Sequence, residues 1–179
     1  MYASSVAGTL HRLENKGYVY GDIKAENLLV KTGSTDIMFF DLNSSRSLSQ
    51  IQSDKRISTN SLCPLNLDLN SSNLKTIDTY MLGQLLAQRL LKDPDHLLLT
   101  AIAELEMDIP TFRSHLRTFE DDHFLTNAVA RKLLALLKKA LAVCSGDRFQ
   151  SAEKLKKDLD EIIIETKYQL VAKKPSCID

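Results

Sequence analysis

The spacing of apolar residues divides this 179-residue chain into two parts with different expected structure. After residue 76, apolar side chains recur every three or four positions, which is the period of an α-helix. Nearer the N-terminus, one helical stretch at 2–16 is followed by two short apolar runs, Leu28–Val30 and Ile37–Phe40, with a turn between them. The pattern predicts a mainly α-helical fold with one small β-hairpin.

The helical part contains several start and stop signals. Asp93 followed by Pro94 is typical of a helix N-cap with proline in the first turn, and Ser151 can cap the last helix. The helix at 77–91 is apolar almost all round, which predicts that it is buried. The predicted helices cover residues 2–16, 77–91, 96–107, 127–143 and 152–170.

A polar segment separates the two parts. The 34 positions from Asn43 to Thr76 hold nine Ser and five Asn. So little apolar surface cannot offset the entropy of ordering the chain, so we expect a loop over 44–76 that is mobile over 44–72. With no repeat and no second core, residues 1–170 are expected to form one domain, followed by a flexible tail at 171–179.

Composition excludes several classes of function. Lys plus Arg and Asp plus Glu both number 23, so the zero formal charge gives no reason to expect nucleic acid or a membrane surface as partner. No apolar run approaches the ~18 residues of a membrane span, and no secretory signal is visible. The three widely spaced cysteines suggest neither disulfides nor a zinc site, which favours a cytoplasmic location.

One segment carries a pattern with chemical meaning. Asp22, Lys24 and Asn27 stand in the order Asp-x-Lys-x-x-Asn, immediately before the first strand, and Asp41 follows the second strand. A hairpin returns the chain to its start, so Asp41 is expected close to Asn27 and Asp22. Phosphoryl transfer from ATP uses such a set: an aspartate at the acceptor hydroxyl, a lysine at the phosphate, and oxygen ligands for magnesium.

These residues resemble the C-terminal lobe of a eukaryotic-like (Hanks-type) Ser/Thr protein kinase. Three further segments fit the resemblance in the right order. The sequence Asp78-Thr79-Tyr80-Met81-Leu82-Gly83 is similar to the start of the family's buried central helix. The run from Cys144 through Arg148 to Glu153 is similar to the arginine-containing segment before its last helix, and 44–76 stands where the activation segment would be.

The resemblance implies specific roles. Asp22 would be the catalytic base, and Lys24 would contact the γ-phosphate of ATP. Asn27 and Asp41 would hold Mg²⁺, and Asp78 would accept hydrogen bonds from the backbone of the catalytic loop. The substrate would be a protein Ser or Thr hydroxyl.

The sequence also departs from the family pattern. Tyr20-Gly21 replaces the usual His-Arg, so activation by loop phosphorylation is not expected. Asp41-Leu42-Asn43 replaces Asp-Phe-Gly, with Asn43 as the residue expected to tolerate a positive φ. No Ala-Pro-Glu motif, Gly-rich nucleotide loop or Val-Ala-Ile-Lys motif is present, so half of the ATP site would have to come from an N-terminal lobe outside this sequence.

Two other interpretations remain open. A kinase-like lobe with these departures could be a pseudokinase-type interaction module, which would bind an N-lobe-like or dimer partner on its exposed upper face. Tyr20-Gly21-Asp22 also resembles the His-Gly-Asp of aminoglycoside and choline kinases, which phosphorylate small molecules. Lys24, Asp78 and Arg148 favour the protein-kinase branch.

Overall fold

The computed structural model describes residues 2–50, 75–117 and 125–172, with the side chains of 170–172 left outside the description. Six α-helices have described bounds: α1 (Tyr2–Asn15), α2 (Lys75–Leu90), α3 (His96–Glu104), α4 (Ile109–His115), α5 (Asn127–Ala140) and α6 (Ala152–Ala172). Four short strands accompany them: β1 (Tyr18–Val19), β2 (Leu28–Val30), β3 (Ile37–Phe39) and β4 (Arg46–Ser47). The predicted mainly helical fold with a small hairpin is confirmed.

The hairpin presents one face to the core and the other to solvent. β2 and β3 are antiparallel, and Leu29 lies opposite Met38 in the register. Ile37 is buried and Leu28 is half-buried against the core. Because side chains alternate along a strand, Leu29 and Met38 point away from the core, and both are exposed.

The prediction of a loop over 44–76 is wrong at its start, where two residues form a strand. Arg46–Ser47 pairs antiparallel with Tyr18–Val19 at the end of α1. A two-residue strand is too short to show an alternating pattern, so no pattern in the sequence indicated it. Lys75 and Thr76 belong to α2, and the remainder of the predicted loop, 51–74, lies outside the described residues.

The central helix α2 is buried as predicted. Ile77, Met81 and Leu82 are buried in the apolar core. Asp78 is also buried, and its carboxylate faces the loop at Tyr20 and Gly21. Gly83 lies against α5 so closely that an added Cβ would stand 2.6 Å from the Cβ of Ala140. The two helices therefore pack almost backbone to backbone.

The region after α2 differs from the prediction in two respects. The N-cap of α3 is Asp95, whose carboxylate accepts the backbone N–H of Leu98 at 2.7 Å, so the assignment to Asp93 is wrong. Asp-Pro-Asp offers two possible caps, and local sequence does not choose between them. The predicted helix at 96–107 also ends early, at Glu104, and Asp108 caps a separate short helix, α4, with a hydrogen bond to Thr111.

The first and last helices pack side by side and join the two ends of the described chain. Val6 and Leu10 of α1 are buried in the same core as Leu155 and Leu159 of α6. The carboxylate of Glu14 accepts the backbone N–H of Ala152 at 3.1 Å, which satisfies one donor at the start of α6. Ser151 accepts the N–H of Lys154, which confirms the predicted cap.

The last helix extends slightly beyond its predicted end. It reaches Ala172, so 171 and 172 are helical instead of part of the tail predicted for 171–179, and 173–179 lie outside the described residues. Within the described ranges, none of the helices has the length and apolar content that crossing a bilayer requires.

Candidate functional site

The loop between β1 and β2 carries three of the candidate site residues, Asp22, Lys24 and Asn27. Gly21 adopts φ +74° in this loop, a left-handed conformation that glycine reaches without strain. An added Cβ would meet only the Ser44 carbonyl oxygen, at 3.6 Å. The backbone angle, not lack of space, therefore explains a glycine beside Asp22.

Asp78 fixes this loop from the central helix. Its two carboxylate oxygens accept the backbone N–H groups of Tyr20 and Gly21, each at 2.8 Å. The hydrogen bonding that the resemblance implied for Asp78 is confirmed. Burial raises the pKa of Asp78 to about 6, although the two N–H donors act in the opposite direction.

Asp22, Lys24 and Asn27 converge at one point. The Asp22 carboxylate oxygen Oδ2 accepts a hydrogen bond from Lys24 Nζ at 2.9 Å and another from Asn27 Nδ2 at 2.6 Å. Asn27 Nδ2 also lies 3.1 Å from the Asp22 carbonyl oxygen. The hydrogen bond to Asp22 raises the pKa of Lys24, so the ammonium stays charged. Two donors thus orient one nearly buried carboxylate.

Asp41 lies beside this cluster, at the end of β3. The backbone N–H of its neighbour Phe40 donates to the Asn27 carbonyl at 2.8 Å, which holds the two chain segments together. Asp41 itself adopts φ +54° and accepts the N–H of Asn43 at 3.2 Å. The positive φ expected at Asn43 therefore falls on Asp41, because Leu42–Ser44 forms a 3₁₀ turn that Asp41 caps.

Tyr20, which the sequence analysis named only as the replacement for the family's usual His, has a structural role at the site that was not predicted. It is fully buried, and its hydroxyl donates to the Phe40 carbonyl at 2.6 Å, directly before Asp41. Its ring also packs on Phe39 with 4.6 Å between centroids. Burial, together with the charges of the surrounding aspartates, raises the pKa of Tyr20 to about 12, so the hydroxyl remains a donor. The resemblance identified its position, but no sequence signal predicted its hydrogen bond to Phe40.

Two side chains of the cluster carry oxygen atoms of the kind that magnesium binds. The amide nitrogen of Asn27 is engaged with Asp22, so its oxygen is the atom that could bind a cation, as could the exposed carboxylate of Asp41. Magnesium prefers oxygen ligands and often uses only one or two from the protein. No group of three or more His, Cys, Asp or Glu side chains suited to a metal occurs in the described ranges.

Arg148, the arginine named in the sequence analysis, connects two parts of the helical core. It is buried, and its guanidinium donates to the carbonyls of Ala142 and Val143 at 2.7 and 2.9 Å. The same group lies over the ring of Tyr80, 4.6 Å from the centroid. Arg148 thus ties the end of α5 to the central helix.

Comparison of the chain with protein-family models and with curated proteins finds no match.

Proposed function

We propose that this chain is a protein-kinase-like C-terminal lobe that transfers a phosphoryl group from Mg-ATP to Ser or Thr hydroxyls when an N-terminal lobe is supplied. One observation carries the proposal. The Asp78 carboxylate accepts both loop N–H groups at 2.8 Å, and this loop presents Asp22 together with Lys24 and Asn27. A surface turn would not need a buried carboxylate to hold its backbone.

The proposed roles are those that the resemblance to protein kinases implies, and the chemistry of the residues is compatible with them. Asp22 would accept the proton of the acceptor hydroxyl, because its carboxylate is oriented by two donors. Lys24 carries the positive charge that would neutralise the phosphate. Asn27 and Asp41 would hold Mg²⁺ through their side-chain oxygens. Bound Mg-ATP would supply the transferable phosphoryl group.

Nucleotide binding is the first test. We expect Mg-ATP to raise the melting temperature by about 5–10 °C at 100 times its dissociation constant, equivalent to ~2.7 kcal/mol. The shift should require magnesium and disappear in Asp41→Ala. Asp36→Ala provides a matched control, because Asp36 is an exposed aspartate in the hairpin turn. Absence of a shift at millimolar Mg-ATP, or an equal shift in Asp41→Ala, would contradict the nucleotide site.

Catalysis is tested separately, with an N-terminal lobe added in trans. Wild-type chain should incorporate phosphate into a generic basic protein, whereas Asp22→Ala should lose at least 100-fold in rate, as expected on removal of a general base. Equal incorporation by both chains would show that the activity comes from another protein.

The hairpin surface favours a second candidate, a non-catalytic interaction module. Leu29, Met38 and Phe40 are 46%, 57% and 60% exposed on the outward side of the hairpin. Grouped apolar side chains of this size usually mark an interaction surface. This candidate predicts binding of an N-lobe-like partner that Met38→Glu abolishes, while Asp22→Ala leaves it unchanged. Loss of binding only in Asp22→Ala would argue for the enzyme.

A further inference from the structure

A groove lies between α5 and the linker that joins α3 to α4, residues 105–108. Its volume is about 490 Å³. Leu105, at the linker end of the groove, is 60% exposed. The apolar part of its lining comes from both walls: Leu105, Met107, Ile109, Leu134 and Ala135.

Charged side chains of opposite sign line the two walls of this groove. Arg131 and Lys138 belong to α5, whereas Glu106 and Asp108 belong to the linker. All four are described and exposed, yet none of the ion pairs within 4.0 Å among described residues joins them. The groove therefore offers cations on one side and carboxylates on the other to an incoming surface.

The chain itself carries a surface with the complementary character, on α6. Ile164 and Tyr168 are 52% and 71% exposed and lie one helical turn apart, on the same face. Glu161 stands one turn before Ile164, and Lys167 stands beside Tyr168; both are exposed and neither forms an ion pair among the described residues. We call these four residues the α6 stripe.

We propose that the groove binds the α6 stripe of a second copy of this chain. Ile164 and Tyr168 would cover the apolar lining, Glu161 would face the cations of α5, and Lys167 would face the carboxylates of the linker. The lining residues of α5 follow the i, i+3, i+4, i+7 spacing of a ridge against which a helix packs: Arg131, Leu134, Ala135 and Lys138.

Two general features support a second copy as the occupant. The formal net charge is zero, so no long-range repulsion keeps two copies apart. The groove and the stripe are different surfaces of one molecule. If each copy fills the other's groove, the two reciprocal contacts form a closed two-fold dimer. If not, the contact is heterologous and extends to a ring or a longer assembly. The proposal is independent of the phosphoryl-transfer site.

The experiment measures self-association by sedimentation velocity over a wide concentration range. Ala135→Lys places a charge on the exposed lining of the groove, and Tyr168→Ser removes the largest side chain of the α6 stripe. Each should weaken association about tenfold or more. Gln88→Lys and Tyr2→Ser are matched controls, because they make the same kinds of change at exposed positions elsewhere.

A mixing experiment distinguishes this contact, which joins the groove of one copy to the stripe of another, from a contact that joins the same surface of both copies. The Ala135→Lys chain keeps an intact stripe and the Tyr168→Ser chain keeps an intact groove, so a one-to-one mixture should associate more strongly than either variant does alone. Wild-type chain that stays monomeric at all concentrations would overturn the proposal. So would association of either variant at the wild-type level, or a mixture that remains monomeric.

Discussion

At the scale of single residues, the raised pKa of Asp78 makes the stability of the fold depend on pH. Its pKa in the folded chain, about 6, lies above the ordinary value of 3.8, because burial disfavours the charged form more than the two N–H bonds favour it. A raised pKa means that the folded state binds the proton more tightly than the unfolded state does. The stability contributed by this protonation is present below about pH 4 and is lost as the pH rises through about 6.

Asp78→Asn should remove this pH dependence. The wild-type free energy of unfolding should fall relative to that of the variant by about 3 kcal/mol between about pH 4 and pH 7. The variant should be less stable overall, since an amide nitrogen then faces one of the two backbone N–H donors. Urea unfolding of both chains at several pH values measures the difference. A constant difference across this range would contradict the raised pKa.

The sequence predicted part of the site because its spacing fixes local geometry. Asp22, Lys24 and Asn27 lie within six positions, so one loop brings them together, as the structure shows. The position of the Tyr20 hydroxyl and the positive φ of Asp41 depend on how β3 returns to this loop. Such long-range contacts leave no periodic pattern in a sequence.

At the scale of elements, the start of α3 offers a direct test of helix capping. Asp95→Ala should cost about 1 kcal/mol, because the Leu98 N–H loses its side-chain acceptor. Asp93→Ala is the matched control, with an expected change within about 0.5 kcal/mol, since Asp93 is an exposed residue outside the helix. Chemical denaturation of both variants distinguishes them. Equal losses would restore Asp93 as a contributor to the cap.

The close approach of α2 and α5 makes a second prediction. Gly83→Ala should destabilise the fold by about 1–3 kcal/mol, because the new methyl group would stand 2.6 Å from Ala140 Cβ. Helix propensity alone would favour alanine by about 1 kcal/mol, so the sign of the effect reports the packing. Gly146→Ala, which meets nothing within 4 Å, serves as the control. Adding Ala140→Gly to Gly83→Ala should recover part of the loss.

The elements that the sequence predicted best are those whose apolar face repeats over several turns. The helix of Val6, Leu10 and Leu13 was predicted within one residue of its observed end. The helix α4 was not predicted, because its seven residues are fewer than two full turns and show no clear apolar repeat. Its first residue is defined by the Asp108 cap. Short elements therefore depend on caps and tertiary contacts that periodicity does not reveal.

At the scale of the whole molecule, the N-terminal and C-terminal helices stabilise each other. Ala7 of α1 and Leu155 of α6 are completely buried. The Glu14 carboxylate of α1 accepts the backbone N–H of Ala152, the first residue of α6. Each helix buries part of its apolar face against the other. We therefore expect α1 and α6 to unfold together, as one cooperative unit.

Leu155→Ala tests this coupling. The substitution should cost about 2–5 kcal/mol, because it leaves a cavity where a completely buried side chain was. Hydrogen exchange should then show equal losses of protection for the amides of Val6 and Leu10 in α1 and of Leu159 in α6. Leu97→Ala, at a position 76% exposed, should leave both helices unchanged. If α6 loses protection while α1 retains it, the helices are independent and the core does not depend on their contact.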